Sequence, residues 1–205
     1  KKYFMNVLKV KSERMRIAIF FMIAVLAACE SGSKLPIAIE GSQIPAGAIL
    51  QAYESIPGLQ KAVMKQGEVV IGEGDFLNGK YHGTWTIYDA QGKVQQITTY
   101  LNGLKQGTEL VFDNQGYVKT KSYYHNGELQ GEYLGYKRRS IIERKNYSGG
   151  ILDGLQQKYY IDGKVMEEST YASGQIDGVA RWYDQEGNMT IEYTYKDGQL
   201  VKEGE

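Results

Sequence analysis

Aromatic residues stand at Phe76, Tyr100, Tyr124, Tyr147, Tyr171 and Tyr195, at spacings of 24, 24, 23, 24 and 24 residues. Three residues after each comes a glycine: Gly79, Gly103, Gly127, Gly150, Gly174 and Gly198. Seven residues after the first five comes another: Gly83, Gly107, Gly131, Gly154 and Gly178. A second aromatic follows twelve residues after them, at Tyr88, Phe112, Tyr136, Tyr159 and Tyr183. A period this strict belongs to stacked supersecondary units, each too small to bury a core alone.

Two kinds of turn alternate within the period. Asp89-Ala90-Gln91-Gly92, Asp113-Asn114-Gln115-Gly116 and Asp184-Gln185-Glu186-Gly187 share one form. The aspartate is suited to accept a bond from the backbone two residues on, and the glycine to close the turn at positive φ. The other kind carries Asn78-Gly79, Asn102-Gly103, Asn126-Gly127, Gly149-Gly150, Ser173-Gly174 and Asp197-Gly198, dipeptides that favour two-residue hairpins. A turn about every twelve residues predicts an all-β fold: an elongated, curled, single-layer antiparallel meander. Two strands in each of five units give ten strands and a sheet about 45–50 Å wide, which should twist and curl. The 25 glycines and 17 tyrosines against three prolines suit short strands joined by tight turns.

Counting by twos from Val118 through Thr120 and Ser122 reaches Tyr124, so these residues share one face, expected to be the core face. The sets Trp85 and Ile87, Glu109 and Val111, Tyr133 and Gly135, Gln156 and Lys158, and Ala180 and Trp182 differ from unit to unit. They are expected on the other face, with Trp85, Ile87, Tyr133 and Trp182 as its candidate interaction residues.

The unit Tyr-x-x-Gly-x-x-x-Gly-x-x-x-x-Tyr-Asp-x-x-Gly resembles the variant MORN repeat, and short arrays of it resemble the YwqK-type antitoxins. The resemblance covers residues 76–201 and part of 59–75. It implies an elongated antiparallel sheet that serves as a scaffold for protein or membrane association rather than as a catalyst. The array divides into a capping half-repeat (59–75), repeats at 76–99, 100–123, 124–146, 147–170 and 171–194, and a partial unit at 195–205. The third unit is one residue short, with Lys137-Arg138-Arg139-Ser140 in place of the Asp-x-x-Gly turn.

The N-terminal stretch is of another kind. Lys9, Lys11, Arg14 and Arg16 precede an apolar run, Ile17–Ala28, whose twelve residues have the length of a signal-peptide core. It ends in Leu26-Ala27-Ala28-Cys29, which resembles the bacterial lipobox. That resemblance implies cleavage before Cys29, a diacylglycerol and an N-acyl chain on Cys29, and stable anchoring by several chains. Residues 1–28 are thus expected to be a signal peptide, and 29–58 a lipidated tether whose residues 46–53 form an irregular or helical segment; alternatively, Tyr53 is a degenerate strand position and the array starts earlier. The expected location is the cell envelope outside the cytoplasm, at the outer membrane.

The remaining residues carry 18 basic and 23 acidic side chains, net −5, which argues against a nucleic-acid partner. Cys29 is the sole cysteine, so neither an internal disulfide nor a cysteine zinc site is available. His82 and His125 occupy different repeat positions and lack a third ligand. Asp153 and Asp177 precede glycines and read as turn formers rather than a glycosidase pair. Lys137, Arg138 and Arg139 form the one basic concentration with Arg144 and Lys145, a candidate contact for anionic headgroups or an acidic partner. The expectation is therefore a non-enzymatic envelope lipoprotein without a bound cofactor, presenting a β-repeat scaffold to a protein or a glycan. The alternative is an antitoxin or immunity-type protein that occludes a toxin.

Overall fold

The computed structural model describes residues 44–203; the expected signal peptide, Cys29 and the first part of the tether lie outside them. The strands are β1 (Ile49–Ala52), β2 (Leu59–Gln66), β3 (Val69–Leu77), β4 (Lys80–Tyr88), β5 (Val94–Leu101) and β6 (Leu104–Phe112). They continue as β7 (Val118–His125), β8 (Glu128–Leu129), β9 (Gly131–Lys137), β10 (Ser140–Ser148) and β11 (Ile151–Leu152). The last are β12 (Gly154–Tyr159), β13 (Val165–Ala172), β14 (Gln175–Tyr183), β15 (Met189–Lys196) and β16 (Gln199–Glu203). All belong to one antiparallel meander in sequence order, with the short β8 and β11 paired to β7 and β10 beside the main path. The described residues contain no helix.

The expected all-β meander is observed, with three corrections. It holds sixteen strands among the described residues, fourteen of them on the main path, rather than ten. Ile49–Ala52 is a strand paired with Gln60–Val63, not the expected helical turn. The sheet is also open and uncurled, with β1 and β16 as opposite edges. Extra residues are inserted near both turn edges, two in β4 at one and a single residue in β5 at the other.

Both turn types are built as their residue types dictate. Asp89 Oδ1 accepts the Gln91 and Lys93 N–H groups at 2.9 Å each, and Asp113 does the same for Gln115 and Tyr117. At the other edge, Asn78, Asn102, Asn126, Ser173 and Asp197 have φ between 49° and 52°, and the glycine after each is also positive. In the short third unit, Arg138 adopts φ 58° in a two-residue turn that pairs Lys137 with Ser140. The glycine seven residues after each anchor aromatic marks a bulge. Asp75 pairs with His82 and Glu73 with Thr86, so β4 carries two extra residues around Gly83, whose φ is 65°. The same insertion recurs around Gly107 and Gly178.

The core lies on one face of β2–β5. Phe76, Tyr81, Trp85 and Tyr100 are 0–3% exposed, and the Tyr81 ring centroid lies 4.6–5.1 Å from each of the other three. Trp85 lies across Gly74 and donates its indole N–H to the Asp75 carbonyl at 2.8 Å. A Cβ on Gly74 would stand 2.4–2.5 Å from the Trp85 ring, and one on Gly72 would stand 2.3 Å from the Met64 methyl. Small residues on β3 thus let a single sheet bury large ones from β2 and β4 without a second layer. The opposite face is held by polar bridges: Tyr88 donates to Glu73 at 2.7 Å, and Arg181 joins Glu192 at 2.7 Å.

Gly74→Ala is expected to destabilise the fold by about 1–3 kcal/mol through overpacking, and Trp85→Ala by about 3–5 kcal/mol. The two costs should not add, because removing the ring removes what the new methyl meets. Urea denaturation of both single variants and the double variant measures this; additive losses would contradict the packing described.

Candidate functional site

A hairpin carries a face across its turn: residues equidistant from the turn are partners and point the same way. Phe76 pairs with Tyr81, Trp85 with Thr98, Thr98 with Glu109, and Glu109 with Ser122. The anchor aromatics and the unit-to-unit varying residues therefore share one face, which corrects the expectation of a core face and a separate variable face. Trp85 and Ile87, expected as interaction residues, are 1% and 8% exposed and belong to the core. Tyr133 and Trp182 are half-buried on this face, but four strand steps separate them, about 19 Å. The structure does not bring Trp85, Tyr133 and Trp182 into one site.

Along this face the character changes. Beyond the aromatic cluster comes a polar knot around Glu109, which is 7% exposed. Its Oε2 accepts from Lys105 Nζ at 2.6 Å, Gln96 Nε2 at 2.7 Å and Thr98 Oγ1 at 2.9 Å, and its Oε1 from the Tyr124 hydroxyl at 3.2 Å. Burial and the nearby Glu109 carboxylate raise the Tyr124 pKa. Burial, with the Glu109 charge second, raises that of Tyr100, whose hydroxyl is buried without a partner.

Past β9 the face opens into a shallow depression of about 360 Å³, lined by Glu143, Lys145, Gln156, Lys158, Glu167, Ser169 and Tyr171 among others. Lys145 meets Glu143 at 2.8 Å and Lys158 meets Glu167 at 2.9 Å. Burial opposes the charge on Lys145, but the Glu143 carboxylate more than offsets this and its pKa is raised. Lys145 also sits 5.5 Å from the Tyr133 ring centroid, and Trp182 packs against Tyr193 at 5.8 Å. Gln156 is 8% exposed, its amide bonded to the backbone of Asn146 and Gly154. The paired charges and the fixed amide were not anticipated, although the turn at 160–163 sets the Lys158–Glu167 register and could have revealed that pair.

The other singled-out residues fall at the turn edges. Lys137, Arg138 and Arg139 are exposed, with Arg139 5.7 Å from the Tyr117 ring centroid. Asp153 and Asp177 occupy a repeat position whose role is structural. Gln106 Oε1 accepts Asn126 N–H at 3.0 Å, Gln130 Oε1 accepts Gly149 N–H at 2.9 Å, and Asp153 Oδ2 accepts Ser173 N–H at 3.3 Å. Each side chain thus staples its bulge to the next unit's turn. Asp177 meets Lys196 at 2.7 Å, and this bond, with help from the Asp197 N–H, holds its pKa below the usual carboxylate range. His82 stands at the same repeat position with Nδ1 buried and unpartnered, and His125 contacts Gln106 and Asn126. Among the described residues, no group of three or more His, Cys, Asp or Glu is placed to hold a metal.

Fold and site together define a repeat protein built from β-hairpins of one pattern. Residues 81–102, 152–173 and 176–197 match the family described as MORN repeat variant. Each match spans one hairpin and ends at an Asn-Gly-type turn; the first and third cross an Asp-type turn, and the second crosses Tyr160-Ile161-Asp162-Gly163. The hairpins between residues 104 and 148 have the same architecture outside those matches. No curated protein matches the chain.

Tyr100→Phe is expected to stabilise the protein by about 1–2 kcal/mol, since it removes a buried hydroxyl without a partner. Because folding raises the Tyr100 pKa from 10.0, the folded state retains the proton longer than the unfolded chain. Stability should therefore be flat at neutral pH and fall as pH rises above about 10, less steeply in the variant. Chemical denaturation across the alkaline range checks this, and an unchanged slope in Tyr100→Phe would contradict it.

Proposed function

We propose that this chain is a non-enzymatic envelope lipoprotein, anchored through Cys29, whose β-repeat sheet holds a macromolecular ligand outside the cytoplasm. The observation that carries the scaffold reading is the half-exposed, ion-paired and aromatic surface of β10–β15, on the face that β2–β5 use to bury a core. A stack of such hairpins adds area with each unit, and repeat proteins commonly present extended surfaces of this kind. The anchor reading is supported by the basic flank, the apolar run and Leu26-Ala27-Ala28-Cys29. Outer-membrane placement is part of the same proposal.

The full chain, expressed in a bacterium that processes lipoproteins, should fractionate with membranes and carry acyl mass on the peptide beginning at Cys29. Cys29→Ala should abolish both. Crosslinking in intact envelopes should recover a ligand with the wild-type chain and not with Tyr171→Ala/Trp182→Ala, whose fold is checked by circular dichroism. Equal recovery would remove this face from the proposal. Recovery of a toxin would replace the scaffold reading with the antitoxin alternative.

A further inference from the structure

Tyr147, Tyr171 and Tyr195 occupy one row of the face, on β10, β13 and β15. Each is two strand steps from the next, about 10 Å. Directly across from each stands a bulge glycine or its neighbour: Gly131 pairs with Tyr147, Gly154 with Tyr171, and Gly178 with Tyr195. No side chain projects from the glycine on that side, while Leu152, Ile176 and Leu200 pair with the rings on the other; Tyr133 and Tyr193 meet Tyr147 and Tyr195 edge to face at 6.4 Å, and all three rings stay half-buried rather than sealed. In β4 and β5 the same row is closed, because Tyr81 packs 5.1 Å from Tyr100 and seals it to 3% exposure. Lys105, Leu129, Leu152 and Ile176 take the Tyr81 position in later units, and none extends an aromatic plane over the row.

The floor beside this row has acids and bases in equal number, Glu143 with Lys145 and Lys158 with Glu167, each pair in direct contact. A charged ligand would have to displace a partner already in place. An uncharged ligand with many hydroxyls can accept from the lysines and donate to the carboxylates while both pairs persist. The flat apolar faces of sugar rings complement tyrosine rings, and the two-strand spacing is close to the length of one disaccharide in an extended β-linked chain.

We propose that the β10–β15 face is a binding site for an uncharged, extended β-1,4-linked glycan. Its sugars stack on Tyr147, Tyr171 and Tyr195 at disaccharide intervals, and Lys145, Lys158 and Glu167 bond its hydroxyls. The proposal rests on the scaffold reading above and names that scaffold's ligand.

The test is titration of the detergent-solubilised full chain with cellohexaose, chitohexaose and their disaccharides, with an acidic polyuronate of similar length as comparison. One or both neutral hexasaccharides should bind at least tenfold more tightly than the matching disaccharide, because they reach all three rings. Which one binds identifies the sugar. Tyr171→Ala should weaken hexasaccharide binding at least tenfold. Tyr171→Phe, which keeps the stacking plane, should stay within about threefold of wild type, and Tyr117→Ala at the far turn edge should not change it. No binding of either hexasaccharide, a preference for the polyuronate, or equal binding by Tyr171→Ala and wild type would overturn the glycan proposal. If envelope crosslinking still recovers a protein that Tyr171→Ala/Trp182→Ala loses, the scaffold reading survives and the glycan falls. If sedimentation shows a second copy covering the face, the glycan falls as well.

Discussion

Everything in this fold depends on placing a left-handed backbone residue at fixed intervals. Each Asp-type turn closes on a glycine at positive φ, and each Asn-Gly-type turn places two residues there. For an ordinary L residue that conformation costs roughly 1–2 kcal/mol, so glycine, asparagine and aspartate recur where bulkier residues would strain. The third glycine of the unit extends the same constraint into the strand, where it inserts two residues and aims a side chain at the next turn. The turns fix register, register fixes which residues share a face, and the shared face decides what is buried.

A single sheet has no opposing layer, so burial must come from neighbours within the face. Among the described residues only β2–β5 bury an aromatic cluster, by setting Gly72 and Gly74 beneath Met64 and Trp85. Farther along, the equivalent centre is a buried glutamate satisfied by four donors. Beyond it the positions carry paired lysines and glutamates, and the rings meet only edge to face in pairs, Tyr133 with Tyr147 and Trp182 with Tyr193, without closing a core. One repeat thus serves in turn as core, polar knot and open surface. The gradient along the sheet, rather than any one residue, separates the buried end from the exposed one.

The turns and the all-β class were legible in the sequence because each depends on local chemistry: Asp89 caps its own turn, and Asn102-Gly103 can scarcely do otherwise. The anchor aromatics were legible from their period. The face of Trp85 was not, because it depends on carrying register through the Asn78-Gly79 turn rather than on alternation within one strand. The stapling role of Gln106, Gln130 and Asp153 was hidden because two residue types share it, united by an acceptor oxygen rather than by identity. Ile49–Ala52 carries no repeat signature and becomes a strand because β2 offers it an edge. The depression at Glu143–Tyr171 required cross-strand pairs that only register reveals.

The staples run from each unit only to its immediate successor, as do the backbone bonds from Gly127 to Lys105 and from Gly174 to Leu152. Edge strands β1 and β16 sit at opposite ends of this series, and no longer-range bond ties distant units together among the described residues. A molecule wired in this way behaves mechanically as a zipper. Drawn apart through its two edges, it yields hairpin by hairpin, the open end before the aromatic core, each lengthening the chain before the next gives way. It therefore absorbs work gradually, and the hairpins still closed keep their shape while others open.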